Sequence, residues 1–151
     1  MDIETRETTS DDAAVIAELL AHLGYPTDPA AIPARLAALA AAGGVILLAH
    51  PDRGPAVGLV GLQAFPVLHA SAPVAYITAL VVAPAAQGRG VGRAQVTAAE
   101  AWARSAGCSR LTVTSAEHRA GAHTFYTRLG LPYTGRRYSR QLDAPDSRPA
   151  T

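Results

Sequence analysis

The sequence has little of what marks several classes of protein. Its 151 residues include one cysteine, Cys108, which rules out an internal disulfide framework and suits a reducing compartment. Only 5% of residues are aromatic and the formal net charge is +1, so a nucleic-acid-binding domain is disfavoured. No apolar run reaches the roughly 18 residues of a membrane-spanning helix. Because the opening residues 1–4 are acidic and polar, unlike a signal peptide, we expect a cytoplasmic protein without nucleic-acid or membrane partners.

The residues that are present favour one folded domain. Apolar residues make up 49% of the chain, enough for a core, and 13 glycines with 11 prolines indicate many turns. We expect a single domain over residues 1–142, and a polar, proline-containing tail at 143–151 that stays disordered. No metal site is expected.

The hydrophobic pattern predicts a mixed sheet with helices on both faces, an α/β (α+β) fold. Apolar spacing predicts a helix that Gly24 ends and a second, alanine-rich helix before Gly43 and Gly44. Because residues 74–82 are almost continuously apolar, we expect that strand to be buried on both faces. The strands expected in this half are residues 3–6, 45–49, 56–64 and 74–82.

The second half alternates helices with strands. A helix is predicted over residues 90–106, followed by a strand at 111–114, a short helix at 120–129 that Gly130 ends, and a closing strand or strand pair at 133–142. The side of the long helix expected to face the core carries Val91, Ala94, Ala98, Trp102 and Ala106.

A glycine-rich turn between a buried strand and the long helix is the clearest chemical motif. A helix N-terminus leaves several backbone N–H groups unpaired and carries partial positive charge, so it can bind a diphosphate. Glycines in this turn would let phosphates approach the backbone, and Arg89 and Arg93 would add charged hydrogen bonds. An ordinary strand-to-helix turn is the alternative reading. The motif reads Gln87, Gly88, Arg89, Gly90, Val91, Gly92.

Two better-known phosphate motifs do not fit this turn. The dinucleotide-binding fingerprint spaces its glycines as G-x-G-x-x-G and places an acidic residue about 20 positions on, where this chain has Cys108, Ser109 and Arg110. The P-loop requires Lys and then Ser or Thr after its last glycine, whereas Arg93 and Ala94 follow Gly92 here.

Two linked motifs resemble the GNAT superfamily of acetyl-CoA-dependent N-acetyltransferases. The first is the apolar strand ending at Val82 followed by the turn at Gln87, which is similar to the family pattern Q/R-x-x-G-x-G/A. The second, residues 122–131, resembles the family's later hallmark of an alanine, an aromatic residue, Tyr126, and then Gly130 and an apolar residue. Both occur in the family's order, separated by a helix and a strand.

This resemblance implies a sheet splayed open at its centre, with acetyl-CoA as co-substrate between the two parted strands. The pantetheine arm would pair with the backbone of Leu80, Val81 and Val82 as an added strand does. The backbone N–H of Val82 or of Val81 would stabilise the oxyanion, and Tyr126 would protonate the departing thiolate. A core aromatic residue is the alternative reading of Tyr126.

The sequence departs from the family pattern at two places. Thr78 stands where several family members carry a catalytic glutamate, so the base would be a water chain, a residue such as Glu18, or unnecessary for a neutral amine. Arg119 stands where the family often has asparagine, and with Ser115 it is a candidate cofactor contact. The alternatives are a solvated Arg119 and a helix-capping Ser115.

The acceptor is expected to enter opposite the cofactor, between walls that carry Tyr25, His69, Tyr76 and Thr78. Because acidic side chains are sparse near these positions, we expect a small amine, an amino acid or a peptide N-terminus rather than a polycationic aminoglycoside. A catalytically silent acyl-CoA-binding or sensing module is the alternative function, since the strand carboxylate is missing. The closing strand would supply the interface of a possible homodimer.

Overall fold

The fold is one five-stranded mixed sheet with helices on both faces, seen in a computed structural model that describes residues 1–114 and 120–142. The strands follow one another in sequence order across the sheet. They are β1 (Ile3–Glu7), β2 (Gly44–Pro51), β3 (Gly58–Phe65), β4 (Val74–Val82) and β5 (Leu111–Val113), and the helices are α1 (Ala13–Leu23), α2 (Ile32–Ala41), α3 (Val91–Ser105) and α4 (Ala120–Arg128). The predicted fold class is confirmed.

The sheet opens between β4 and β5. Strands β1 to β4 pair antiparallel along their length, whereas β5 runs parallel to β4 and pairs only Leu111–Val113 with residues 75–77. After Ile77 the two strands separate, so the edge of β4 from residue 78 to residue 82 has no partner strand among the described residues. This is the splayed sheet that the family resemblance implied.

The two faces of the sheet bury different clusters. Leu48 and Leu59 pack under α1 and α2 with Ile16, Leu19 and Ile32. Their sequence neighbours Leu47 and Val60 point to the other face, because side chains alternate along a strand, and pack there against Ala99 of α3. Helices therefore cover both faces, as the sequence predicts.

A bulge at Thr78 overturns the prediction that β4 is buried on both faces. Ile77 pairs with Leu62 and Ala79 with Gly61, so Thr78 is the extra residue and the alternation reverses there. Ile77 and Leu80 thus pack on the α3 side. Thr78 is exposed, and the Leu80 and Val82 side chains are half-buried, because β5 covers only the first part of the strand.

The predicted inward face of α3 is partly wrong. Ala94 is only half-buried and Ala106 is exposed, whereas Val91 is buried and Ala98 and Trp102 pack against the core, as predicted. In an alanine-rich helix the apolar spacing marks the buried face only weakly. One position on that face is also occupied by a polar residue, Gln95. The buried residues of α3 are Val91, Gln95, Val96, Ala99 and Ala103.

Three helices end as the glycine pattern predicts. Gly24, Gly107 and Gly130 have φ of +102°, +76° and +83°, the left-handed conformation that ends a helix at low cost in glycine. At each end the following residue donates back to the last turn, as Tyr25 does to the carbonyl of Leu20 at 2.9 Å. The end of α1 therefore fixes where Tyr25 lies.

The prediction of a closing strand at residues 133–142 is wrong. These residues form no strand, and all of them are exposed, including Tyr133, Tyr138 and Leu142. Gly135 and the two arginines after it interrupt the apolar alternation that would hold a strand in register on a core. The closing strand that was expected to supply a homodimer interface therefore does not form. The predicted disordered tail lies outside the described residues.

None of the helices in residues 1–114 and 120–142 is both long enough and apolar enough to cross a membrane.

Asp12 links the start of α1 to β1 by a two-pronged ion pair. Its carboxylate accepts from Nη1 and Nη2 of Arg6 at 2.9 and 2.8 Å, and from the backbone N–H of Thr9 at 2.8 Å. Hydrogen bonding to Arg6, and next to Thr9, lowers the pKa of Asp12 from 3.8 to about 2. A depressed folded-state pKa adds stability that is complete above the unfolded pKa and lost as the pH falls through about 2.

We predict that Asp12→Asn lowers the free energy of unfolding by about 1 kcal/mol at neutral pH, because the neutral amide loses the charged pair with Arg6. The difference from the wild type should shrink as the pH falls from about 4 to about 2. Urea unfolding at a series of pH values measures it. Asp11→Asn, which alters an exposed neighbour, is the control. A deficit at pH 2 as large as the one at neutral pH would contradict the prediction.

Candidate active site

A cavity of about 900 Å³ occupies the opening between β4 and β5. The unpaired part of β4 forms its floor, α4 and Val113 with Thr114 form one wall, and the end of α1 forms the other. The glycine turn and the first residues of α3 close it at one end. We call this cavity the groove.

The backbone of Val82 faces the groove. Ala83 donates its N–H to the carbonyl of Val57 at 2.7 Å, on the β3 side. Because backbone groups alternate along a strand, the N–H and C=O of Val82 point to the opposite, open edge. There the Val82 carbonyl accepts from Nε2 of Gln87 at 3.3 Å. The open edge thus offers an N–H donor at the position predicted for the oxyanion.

The turn before α3 needs its first two glycines for their backbone conformation. Gly88 and Gly90 have φ of +75° and +84°, and no atom lies within 4 Å of a Cβ built on either. Gly90 begins the helix without a side-chain cap, and the first helical bond runs from Ala94 to Gly90. The N–H groups of residues 91–93 therefore have no acceptor within the helix, which is the anion site that the sequence predicts.

The third glycine of the motif is required by side-chain packing rather than by its backbone conformation. A Cβ on Gly92 would lie 2.9 Å from Cζ of Phe125. Gly92 thus lets the Phe125 ring of α4 pack against the start of α3, rather than clearing space for a phosphate. The sequence-based interpretation of Gly92 is corrected on this point, although the residue still lines the groove.

Most of the predicted cofactor contacts lie together in the groove. Arg89 is exposed and is not among the lining residues, and Ser115 and Arg119 lie outside the described residues. Arg128 and Arg137 also line the groove, and no sequence motif marks them. The predicted contacts that line it are Leu80, Val81, Val82, Gln87, Gly88, Gly90, Val91, Gly92, Arg93 and Tyr126.

Tyr126 lies in the last turn of α4 and lines the groove. Its side chain is half-buried and lies edge-on to Phe125, with ring centroids 5.2 Å apart. It lines both the groove and a second cavity of about 1580 Å³ between β5 and residues 131–138. Leu131 donates to the Tyr126 carbonyl at 3.0 Å, so the helix end at Gly130 fixes this part of α4.

Two of the four predicted acceptor-side residues line the groove. Tyr25 and Thr78 do, whereas Tyr76 lines the second cavity and stacks on Phe65 at 5.4 Å. His69 is exposed in the loop before β4 and lines neither cavity. Tyr76 precedes the bulge, and the reversal at Thr78 separates it from the residues that face the groove.

Sequence reasoning missed His22. It lies in the last turn of α1, three residues before Tyr25, and lines the groove. Its position in the last turn of the helix that Gly24 ends was the available signal. Glu18, one turn earlier, is exposed and is not part of the lining. Among the described lining residues the charged side chains are Arg93, Arg128 and Arg137, with no carboxylate.

A sheet opened at a parallel strand pair, with a helix N-terminus at one end of the opening, is the arrangement that the family resemblance implied. Residues 14–131 match the acetyltransferase (GNAT) family, and the chain belongs to that family. It is an acyltransferase by that membership, in agreement with the resemblance found in its motifs.

Individual relatives agree with the family assignment. An aminoglycoside N(6')-acetyltransferase type 1 from Stenotrophomonas maltophilia is 33% identical over 137 residues, which is 87% of this chain and 87% of that protein. An acetyltransferase structure from Trypanosoma brucei is 26% identical with a TM-score of 0.78, covering 95% of this chain and 100% of that one. The structure of AAC(6')-Iy with a CoA-containing bisubstrate analog is 21% identical, covers 95% and 100%, and shares the fold at a TM-score of 0.79.

The contact between Gly92 and Phe125 can be tested by a double-mutant cycle. Gly92→Ala forces the ring to move, and overpacking costs about 1–3 kcal/mol against a helix-propensity gain of up to about 1 kcal/mol. We expect destabilisation by about 1 kcal/mol in the wild type and stabilisation in Phe125→Ala, a coupling of about 1–2 kcal/mol. Urea unfolding of the four proteins measures it.

The matched control is Gly121→Ala on α4, where no atom lies within 4 Å of the added Cβ. Its effect should be the same in both backgrounds. Additive effects of Gly92→Ala and Phe125→Ala would show that the two residues do not pack as described.

Proposed function

We propose that this acetyltransferase transfers an acetyl group from acetyl-CoA to a primary amine of a small molecule, an amino acid or a peptide. The observation that supports this most directly is the groove itself. It runs along the unpaired edge of β4, from the unpaired amides at the start of α3 to the side chain of Tyr126. An extended thioester with an anionic end matches these features.

Each part of acetyl-CoA has a complement in the groove. The diphosphate would accept from the N–H groups of residues 91–93, with Arg93 adding a charged hydrogen bond. Gly88 and Gly90 leave open space around the same turn. The pantetheine amides would pair with the open edge at Leu80 and Val82, as an added strand does. This pairing requires Gln87 to release the Val82 carbonyl, which it now contacts.

The proposed reaction is direct transfer. The amine nitrogen attacks the thioester carbonyl carbon and forms the C–N bond, while the C=O electron pair moves to oxygen, where a backbone N–H on the open edge of β4 stabilises it. The oxyanion then collapses and the C–S bond breaks. Tyr126 gives its phenol proton to the leaving thiolate, and the proton lost by the amine nitrogen returns to Tyr126 through water. The products are the amide and free CoA.

The amine must lose a proton without a carboxylate, since none lines the described part of the groove. Thr78 is present but a neutral hydroxyl does not take a proton from an ammonium. His22 lines the groove, and its imidazole is a side chain that can take a proton from an amine. The amine would therefore bind in its neutral form or transfer its proton to His22 or to water.

The charge of the groove favours an acceptor that is not a polycation. The charged side chains of its described lining are all arginines, and a polycation normally needs carboxylates around it. The Stenotrophomonas maltophilia relative is named for acetylation of aminoglycosides, which are polycations. At 33% identity the acceptor pocket can differ, so we propose a small amine, an amino acid or a peptide N-terminus.

Binding and turnover can be measured together. We expect acetyl-CoA at about 100 times its Kd to stabilise the folded protein by about 2.7 kcal/mol, because it binds only the folded state. Thiol release is then followed with a panel of amino acids, peptides, small amines and aminoglycosides. Free acetate and adenosine, each of which lacks both the diphosphate and the thioester, serve as ligand controls.

The outcomes separate the alternatives. Stabilisation with thiol release on a small amine or peptide would support the proposal. Stabilisation without release on any amine would favour the silent binding module, and release on aminoglycosides alone would overturn the proposed acceptor class. Absence of any stabilisation would remove the basis for the whole site.

Tyr126→Phe tests the acid. We predict a fall in kcat of about 10²–10⁴ with little change in the affinity for acetyl-CoA, because only the proton donor is lost. Steady-state kinetics across a range of pH values measures it. Tyr133→Phe, on a side chain that is 65% exposed and outside the groove, is the matched control. Unchanged transfer by Tyr126→Phe at every pH would refute the assignment.

A further inference from the structure

The second cavity, of about 1580 Å³, meets the groove at the place where β4 and β5 part. Both cavities are lined by Val113, Thr114, Tyr126 and Arg137. Val113 is the last residue of β5 that pairs with β4, opposite Ile77, and Thr114 follows it. The junction of the two cavities therefore lies at the end of the open β4 edge that is away from the glycine turn.

Acetyl-CoA bound as proposed would bring its thioester to this junction. Its diphosphate would lie on the turn, beside Val82, whose carbonyl accepts from Gln87 of that turn. The pantetheine arm would run from there along the open edge to Thr78, which is four residues or about 13 Å of strand. With the groove filled in this way, the second cavity is the space that stays open to an acceptor on the β5 side.

The second cavity follows the outer edge of β5. All of residues 110–114 line it, although successive side chains of a strand point to opposite faces. A cavity lined by consecutive residues runs along the edge of a strand as well as over one face. Because β5 pairs only with β4, its outer edge has no partner strand within residues 1–114 and 120–142. That edge offers backbone donors and acceptors to an extended peptide.

The walls of the second cavity carry positive charge. Arg110 stands at the start of the β5 wall, and Arg136 lies on the opposite wall. The backbone of Arg110 is held in place by the N–H of Ala75, which donates to its carbonyl at 2.9 Å. None of the ion pairs formed within the described part of the chain includes Arg110, and the described lining contains no aspartate or glutamate. A negatively charged ligand is the complement of these walls.

The length of the β5 wall sets the length of the ligand. Four residues separate Thr114, at the junction, from Arg110, which is about 13 Å of strand. A single amino acid with its amine at the junction is too short to reach Arg110. An extended peptide that runs antiparallel to β5 brings the side chain of its fourth residue to that distance, since each residue advances the chain by about 3.3 Å.

We propose that the acceptor is the N-terminus of an acidic peptide that lies along the outer edge of β5. Its amine is at the Thr114 end, and an acidic side chain at its fourth residue pairs with Arg110. This site rests on the proposed acetyl transfer, and it selects the peptide N-terminus from among small amines, amino acids and peptides.

Tetrapeptide amides with alanine at the first three positions test the proposal. We expect kcat/KM for the peptide with glutamate at the fourth position to be about five times that of the glutamine peptide, the value of one exposed charge pair. The lysine peptide should be poorer than both. Moving the glutamate to the second position should remove most of its advantage. Equal kcat/KM for the glutamate, glutamine and lysine peptides in the wild type would overturn the proposal.

Arg110→Gln should lower kcat/KM for the glutamate peptide about fivefold and bring its ratio to the glutamine peptide to about one. Arg110→Lys, which keeps the charge, should retain the preference. A purely structural role of Arg110 would instead lower both peptides equally and leave the ratio as it was, which would contradict the proposal. The matched control is Arg35→Gln, an exposed arginine of α2 that lines neither cavity, and its ratio should equal that of the wild type.

A binding measurement separates this site from the chemistry. The glutamate and glutamine peptides are titrated calorimetrically into the protein saturated with CoA. The glutamate peptide should bind about fivefold more tightly to the wild type and equally to Arg110→Gln. If no amine is acetylated, the proposed function fails, and the titration still decides whether the β5 edge binds acidic peptides. Equal affinities of the wild type for the two peptides, or thiol release on aminoglycosides alone, would refute the site.

Discussion

The unpaired edge of β4 is the feature on which the rest of the site depends. Three residues of parallel pairing hold β5 to β4, and beyond Ile77 the strands part. An open strand edge in a protein interior would leave backbone donors and acceptors unsatisfied, which is costly unless something pairs with them. A ligand with amides at strand-like spacing satisfies that requirement. Binding along this edge therefore follows from the backbone, with side chains setting only its ends.

Helix α3 supports several parts of the groove. The start of α3 presents its unpaired amides beside the glycine turn, while Gln95, one turn further along, contacts the carbonyl of Val81 beneath the middle of the groove. A shift of α3 would move the anion site and the peptide of Val82 together. The ring of Phe125 against Gly92 connects the same helix to α4, which carries Tyr126. The proposed contacts of acetyl-CoA with the α3 amides, the Val82 peptide and Tyr126 are thus fixed relative to one rigid element.

Local signals predicted the elements well, and the features that require long-range pairing were not predicted. The glycines at 24, 107 and 130 end helices through their own left-handed conformation, which depends on a few neighbouring residues. The bulge at Thr78 depends on how β4 pairs with β3, so a continuous apolar run looked like a fully buried strand. The expected strand at 133–142 fails for a similar reason, since strand formation needs a partner edge. Gln95 was missed because a buried polar side chain gives no periodic signal.

The charged side chains in the described lining of the groove are all positive, and under the proposed function this would limit which acceptors bind. Its three arginines all favour the anionic part of a CoA ester, and one of them, Arg137, also contacts Thr114 at the β5 wall. A cationic acceptor would have to enter among these same charges without a carboxylate in the described lining to compensate. A neutral amine, or one whose molecule also carries a negative group, avoids that repulsion. Under the proposed function, the charge that binds the donor would also select the acceptor, although a net charge of +1 for the whole chain gives no sign of it.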